Sequence, residues 1–251
     1  MAALGRVVVI GNGKVGRALR TGLVAGGVAV TMRPARSLLQ RPLPRADLII
    51  IASRDGRIAE IAAVIATAEG APAAVVHCAG ALDSEPLALL RQRGVAIGVM
   101  HPCLSFPTPK ARVLLAGGAL VITGDPLAVR RSRAVARALG MVAVCPALLD
   151  RATYHAACSL TANGGAALAA ASARLLVAAG IEHRFAARLL GPLLVSVGRN
   201  IERLGAAQAL SGPVRRGDLA TVRNHQAAVD SQLPDLSNLF RTIVDAQRSL
   251  V

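Results

Sequence analysis

The chain has 251 residues, 53% of them hydrophobic, and a formal net charge of +15, so it can bury a substantial core in one or two domains and is basic enough to suggest nucleic acid. The distribution argues against nucleic acid as a partner, because arginine far outnumbers lysine and is scattered at helical spacing, while one Tyr, three Phe and no Trp leave little for base stacking. No uninterrupted apolar stretch is expected to span a bilayer, no basic and apolar leader precedes the first strand, and Cys78, Cys103, Cys145 and Cys158 lack C-x-x-C spacing. The expectation is a soluble cytoplasmic protein with reduced thiols and no membrane partner.

Residues 6–20, RVVVIGNGKVGRALR, give a β-branched run, a glycine-rich turn and the start of an amphipathic helix. That order puts backbone N–H groups and the positive end of a helix where a pyrophosphate can sit. Gly11 allows the tight turn, Gly13 leaves no Cβ between backbone and phosphate, and Gly16 lets helix and strand pack closely. The G-x-G-x-x-G spacing also occurs in ordinary βα turns. Here both flanks are correct, so Gly11, Asn12, Gly13, Lys14, Val15 and Gly16 are the expected dinucleotide-binding turn.

A helix over about 15–25 and a strand over 28–32 follow, and then Arg33, Pro34, Ala35, Arg36 and Ser37. An NAD-binding fold usually places an acid here for the ribose 2′-hydroxyl. Two arginines and a serine stand there instead, which points to the 2′-phosphate of NADP(H), the other reading being two solvated loop arginines. Residues 48–52 read as a strand covered on both faces. It ends at Ser53, a further cofactor candidate, with Asp55 as the expected N-cap of a helix to about Thr67. Strands over 73–76 and 95–100 end in His77-Cys78-Ala79-Gly80 and His101-Pro102. Both histidines therefore fall at carboxyl ends of parallel strands, where open α/β sheets bind ligands: His77 toward cofactor, His101 toward the reacting group.

A strand over 119–123, a helix opening on Pro126 and a last strand over 141–144 complete the first half. Beyond residue 147 only helices are expected: about 152–179, weakened at Gly164-Gly165, then 185–204 with Pro192 inside it, 219–231 and 236–249. The reading is an α/β protein, with a Rossmann-like, doubly wound, mostly parallel sheet over 1–147 and an all-helical domain over 148–251.

His155, Ser159 and Asn163 fall at i, i+4 and i+8 on one helix face. An asparagine that deep in an alanine-rich helix suits a polar cleft better than a core. In Ser211 to Asp218 a turn enters a helix with Asp218 as its expected N-cap, His225 two turns later and Arg216 as a possible anion clamp. His77, Cys78, His101, Cys103, His155 and His225 are zinc-ligand types, but no close spacing specifies a site and no metal is expected.

The runs VVVIGNGKVG, HCAG, HPCLSFP, the helix from Tyr154 to Asn163 and SGPVRRGDLATVRNH together resemble a family of Rossmann-like proteins whose C-terminal half is a domain of unknown function, DUF2520. The family is similar in plan to ketopantoate reductase, pyrroline-carboxylate reductase and the 6-phosphogluconate dehydrogenase group. The resemblance implies an NADP(H)-dependent oxidoreductase, with hydride transfer to or from a small carbonyl or imine held between strand ends and helical domain. It also implies a homodimer built through the alanine-rich half. The reductases carry a Lys or Asn series on the first helix of their second domain, and His155, Ser159 and Asn163 occupy what resembles that face. On this reading His155 is the general acid, Asn163 orients the substrate oxygen, His101 assists, and Ser159, Arg216, Asp218 and His225 bind substrate, for which an anionic group would suit the basic field. The chain departs from the expected pattern at Ala79 and at Cys103-Leu104-Ser105. The alternative is a catalytically silent dinucleotide-binding sensor, which keeps the glycine turn and needs no acid.

Overall fold

Strands β1 (Val7–Ile10), β3 (Leu48–Ile51) and β4 (Ala74–His77) are buried along their whole length, which is why they read as unbroken apolar runs. The other strands are β2 (Val30–Arg33), β5 (Ala96–Cys103), β6 (Ala119–Gly124) and β7 (Val142–Val144). The computed structural model, which describes residues 4–36, 43–108 and 113–251, joins all seven in one sheet of order β2-β1-β3-β4-β5-β6-β7. Strands β1 to β5 run parallel, β6 is antiparallel to β5, and β7 runs with β6.

The pleat divides the strand residues between two helical layers. Val7, Val9, Leu48 and Ile50 pack with Leu19 and Leu23 of α1 (Lys14–Ala25) and Val135 and Leu139 of α4 (Pro126–Leu139). Val8, Ile10, Ile49 and Ile51 pack on the opposite face with Ile58 and Ile61 of α2 (Ile58–Thr67) and Leu90 of α3 (Ala88–Gln92). Each fully buried aliphatic side chain contributes roughly 1.5–3 kcal/mol, so the sheet is the rigid platform of the chain. Because β1 leads outward to β2 while β3 returns on its other side, the carboxyl ends of β1 and β3 flank a topological switch point.

Two local expectations change. β5 continues past Met100 to Cys103, because β6 pairs with it from Gly98↔Gly124 to Cys103↔Ala119 and so supplies a partner for the extra residues. Asp55 does not cap α2 with its side chain; it opens a single 3₁₀ turn, Asp55–Arg57, before the helix starts. Pro126 does sit in the first turn of α4 as expected. Asp125, just before it, accepts hydrogen bonds from Ile97 N at 2.9 Å and from Arg91 Nη2 at 2.9 Å, so one carboxylate ties α3, β5 and α4 together.

Within α4, Ser132 is fully buried and its hydroxyl has no partner among the described residues. An unsatisfied buried hydroxyl costs about 1–3 kcal/mol, so Ser132→Ala is expected to raise the thermal midpoint; a lowered midpoint in calorimetry would show that the hydroxyl is satisfied.

The chain forms two compact units, residues 1–162 and 163–251. The last strand ends at Val144, and the units divide inside α5 (Arg151–Ala178), whose first turns belong to the unit that holds the sheet. α5 is continuous through Gly164-Gly165, so the break anticipated there does not occur. α5 is long and apolar enough, by length and composition alone, to cross a membrane, a test that helices of non-membrane proteins also pass. The second unit continues with α6 (His183–Leu204), α7 (Ala206–Ala209), α8 (Leu219–Gln232) and α9 (Ser237–Arg248).

Candidate functional site

The glycine turn adopts the geometry its sequence requires. Gly11 has φ +118°, and a Cβ there would run into the Ala52 carbonyl of β3's end; a Cβ on Gly16 would strike the Gly11 carbonyl. At Gly13 a Cβ would meet no protein atom within 4 Å, so that position faces open space. Gly13 is the N-cap of α1, and no side chain caps the helix, which leaves the first-turn N–H groups, without intrahelical partners, available to an anion. Arg17 Nε braces the turn by donating to Asn12 O at 2.8 Å.

Arg33 ends β2 beside this turn, its carbonyl accepting from Gly11 N at 2.8 Å, and its Nε is buried without a partner among the described residues. Arg36 is exposed, and Ser37 lies outside the described residues. Ser53 follows β3, its hydroxyl donating to Arg54 O at 3.2 Å. An uncapped helix end, an open position at Gly13 and a buried orphan donor on Arg33 fit a dinucleotide with a 2′-phosphate. A groove of about 1420 Å³ starts at this turn, lined by Asn12, Lys14, Met32 and Pro34, and runs along the flank of α1 to Arg20 and Arg137; the histidines described next do not line it.

The histidines at the strand ends differ in environment. His77 is fully buried; its Nδ1 accepts from Ala79 N at 3.2 Å, so its Nε2 carries the proton and donates to Asp83 O at 2.6 Å. Burial, opposed by the Asp83 carbonyl and reinforced by the charge of Arg151, holds this imidazole below its ordinary pKa. With both nitrogens engaged inside the protein, the ring fixes the 77–83 turn.

His101 stands in a cluster that sequence reading missed. Its Nδ1 lies 2.6 Å from the Tyr154 hydroxyl, and its ring meets the rings of Tyr154 and His155 edge-on at centroid distances of 5.5 and 6.1 Å. Gly80 makes the arrangement possible, since a Cβ there would sit 2.8 Å from His101 Nε2 and 2.8 Å from His155 Cδ2. Burial first, then the neighbouring His155 and Arg151, push His101 down to about 4, so it is neutral at physiological pH. Arg151 hydrogen-bonds the Thr123 hydroxyl, and its Nη1 is buried without a partner among the described residues. A guanidinium stays charged, so this orphan donor beside two histidines suits an anionic group. Tyr154 and Arg151 precede the polar helix face by one and four residues. Nothing in the local pattern shows that the chain folds them onto β5 and β6, 53 and 28 residues away.

Of the remaining expected residues, His155 is exposed and Ser159 half-buried in the first unit, while Asn163 opens the second unit. Asp218 caps α8 as expected, accepting from Thr221 N at 3.1 Å and Thr221 Oγ1 at 2.7 Å. Those two bonds hold its carboxyl below the usual range. Among the described residues no three His, Cys, Asp or Glu side chains converge as metal ligands.

Sheet order, switch point and glycine turn define a Rossmann-like α/β protein with a helical C-terminal region. The chain belongs to the family described as a domain of unknown function (DUF2520), which matches residues 119–247. No curated protein matches it. Among solved structures, it is similar to a Bacteroides fragilis protein assigned as an NADP oxidoreductase, with TM-score 0.72, 20% identity and 98% of each chain covered. A protein from Thermotoga maritima gives TM-score 0.71 and 22% identity over 97% of each chain. An imine reductase from Streptomyces aurantiacus gives TM-score 0.60 and 16% identity over 97% of this chain and 93% of its own.

Proposed function

We propose that the protein is an NADP(H)-dependent oxidoreductase that transfers a hydride to or from a small carbonyl or imine. The observation that carries this reading is Arg33, which ends β2 beside the glycine turn and its uncapped helix and whose buried Nε has no partner among the described residues. A buried guanidinium N–H with no acceptor among the described residues is costly unless a ligand anion completes it, and the 2′-phosphate of NADP(H) is such an anion. Residues Gly11 to Gly16 bind the pyrophosphate, with Ser53 at the adjoining strand end and Arg36 as a second phosphate contact. The cofactor supplies the hydride. His155 holds the proton that the developing alkoxide or amine takes up, and His101, neutral and bonded to Tyr154, keeps the ring pair in place over Gly80. Arg151 offers its buried Nη1 to an anionic group of the substrate. The assignment of the Bacteroides fragilis protein and the name of the Streptomyces enzyme support this choice of chemistry.

The test is to titrate the purified protein with NADPH and NADH and then offer 2-oxo acids, imines and semialdehydes. Tighter NADPH binding with turnover of one substrate class supports the reading. Binding with no turnover across the panel favours a silent sensor, and equal affinity for the two cofactors removes the case for Arg33.

The reading includes a homodimer of a soluble, cytoplasmic protein. On α6, Phe185, Leu189, Leu193, Val197, Ile201 and Leu204 are all exposed at spacings of three and four, one apolar stripe of a helix. A second copy is the occupant that this reading supplies for the stripe, and α5, which carries Arg151, His155, Asn163 and an Arg174–Asp235 ion pair at 2.7 Å, is placed in protein rather than lipid. Light scattering should give twice the 25.7 kDa chain mass, and Leu193→Arg should shift it toward the monomer; a monomer in the unmodified protein at micromolar concentration refutes the dimer.

A further inference from the structure

All four cysteines are free thiols, and two of them are neighbours. Cys103 is the last residue of β5 and is exposed; Cys158 lies two turns into α5 and is half-buried; their sulfur atoms are 3.6 Å apart. Both belong to the first compact unit. The Tyr154 hydroxyl hydrogen-bonds to each of these thiols as well as to His101 Nδ1. The start of α5 is held in place by Asp150, which accepts from Thr153 N at 2.7 Å, and by the Arg151 bond to Thr123.

We propose that Cys103 and Cys158 are an oxidisable dithiol that closes to a disulfide, and that closure withdraws both thiols from Tyr154. A disulfide needs the sulfurs at about 2.0 Å, an approach that side-chain rotation can supply from the observed separation. The oxidant is a small-molecule disulfide. The Cys103 thiolate attacks one of its sulfurs and expels one thiolate. The Cys158 thiolate then attacks the Cys103 sulfur of the mixed disulfide and expels the second. Two protein thiols and one disulfide become one protein disulfide and two small thiols, which carry the two protons. Burial, followed by the neighbouring Cys158, raises the Cys103 thiol above its ordinary value, so closure accelerates as pH rises and more thiolate forms. The other two cysteines are poorly placed to compete: burial pushes the Cys78 thiol up to about 12, and Cys145 sulfur accepts from Arg133 Nε at 3.2 Å.

The chain offers its own reporter, since Tyr154 is the single tyrosine and there is no tryptophan. Tyrosine emission therefore comes from this residue alone, and a disulfide against the ring quenches it. The test incubates the cofactor-free protein with glutathione disulfide, then counts thiols after denaturation and maps cross-linked peptides. Titratable thiols are expected to fall from the four of the chain to two, with one cross-linked pair joining Cys103 to Cys158, a loss of tyrosine emission, and recovery of both on reduction. Cys103→Ser and Cys158→Ser should each abolish the cross-link and the emission change. Persistence of all four thiols, glutathione adducts without a cross-link, or a bridge to Cys78 or Cys145 overturns the proposal. A Cys103–Cys158 bridge with unchanged emission overturns its link to Tyr154. No cofactor or turnover enters the assay, so its outcome is independent of the hydride-transfer reading.

Discussion

His155→Gln is expected to lower kcat by about 10²–10⁴-fold, the usual contribution of a positioned general acid, while leaving NADPH affinity unchanged. The imidazole acts only as charge develops on the substrate, so its loss falls on the transition state and not on cofactor binding. Its ring packs over Gly80 and beside His101, and glutamine keeps much of that bulk, so the thermal midpoint should move little. Turnover, NADPH affinity and melting temperature measured on one sample decide the matter: unchanged turnover, or a melting shift large enough to explain the loss, rejects the assignment. The pH profile adds a check. The folded His101 value of about 4 lies below the unfolded value near 6.5, so the folded protein binds fewer protons between these limits. Its contribution to stability is present above about pH 6.5 and is lost as pH falls toward 4, when protonation also ends its role as an acceptor at Nδ1. Loss of activity on the acid side should therefore coincide with loss of stability.

Arg33→Ala combined with Arg36→Ala is expected to weaken NADPH binding by about tenfold to a hundredfold, since a charge-assisted hydrogen bond contributes about 1.5–3 kcal/mol. NADH affinity should hardly change, because the lost contacts are to the 2′-phosphate. The buried Nε of Arg33 has no partner among the described residues, so its removal should not lower the melting temperature of the cofactor-free protein. Equal losses for NADPH and NADH would instead mean that the two arginines shape the turn itself.

The legible parts of the chain were those whose cause is local. A glycine that must avoid the Ala52 carbonyl, strands covered on both faces, Pro126 in a first turn and Asp218 capping α8 all leave a signature within a few residues. What escaped depends on partners distant in sequence. The length of β5 is set by β6, the meeting of His101 with Tyr154 by where α5 starts against the sheet, and the closeness of Cys103 and Cys158 by both. His77 reads as a ligand contact because strand ends usually bind one, and its bonds to the Asp83 carbonyl and the Ala79 N–H leave no trace in that pattern. Composition alone does not place α5 for a related reason: an alanine-rich helix passes for a solvent-exposed or a membrane helix equally well until its neighbours are known.

Asp125 gives the antiparallel end of the sheet a character of its own. Burial raises its carboxyl, but the Arg91 guanidinium and the Ile97 N–H more than offset that and hold it below the usual range. A group depressed in this way contributes stability above its unfolded value, near 3.8, and loses it as pH falls through the lower folded value. Protonation then weakens two attachments at once, the α3 guanidinium and the β5 amide, both held from the residue that precedes α4. This carboxylate fastens the start of α4 to α3 and β5, so its protonation is expected to favour local opening there before β1, β3 and β4. In amide hydrogen exchange that opening would appear as a patch whose protection collapses in acid, with Ile97 at its edge, ahead of the glycine-turn end of the same sheet.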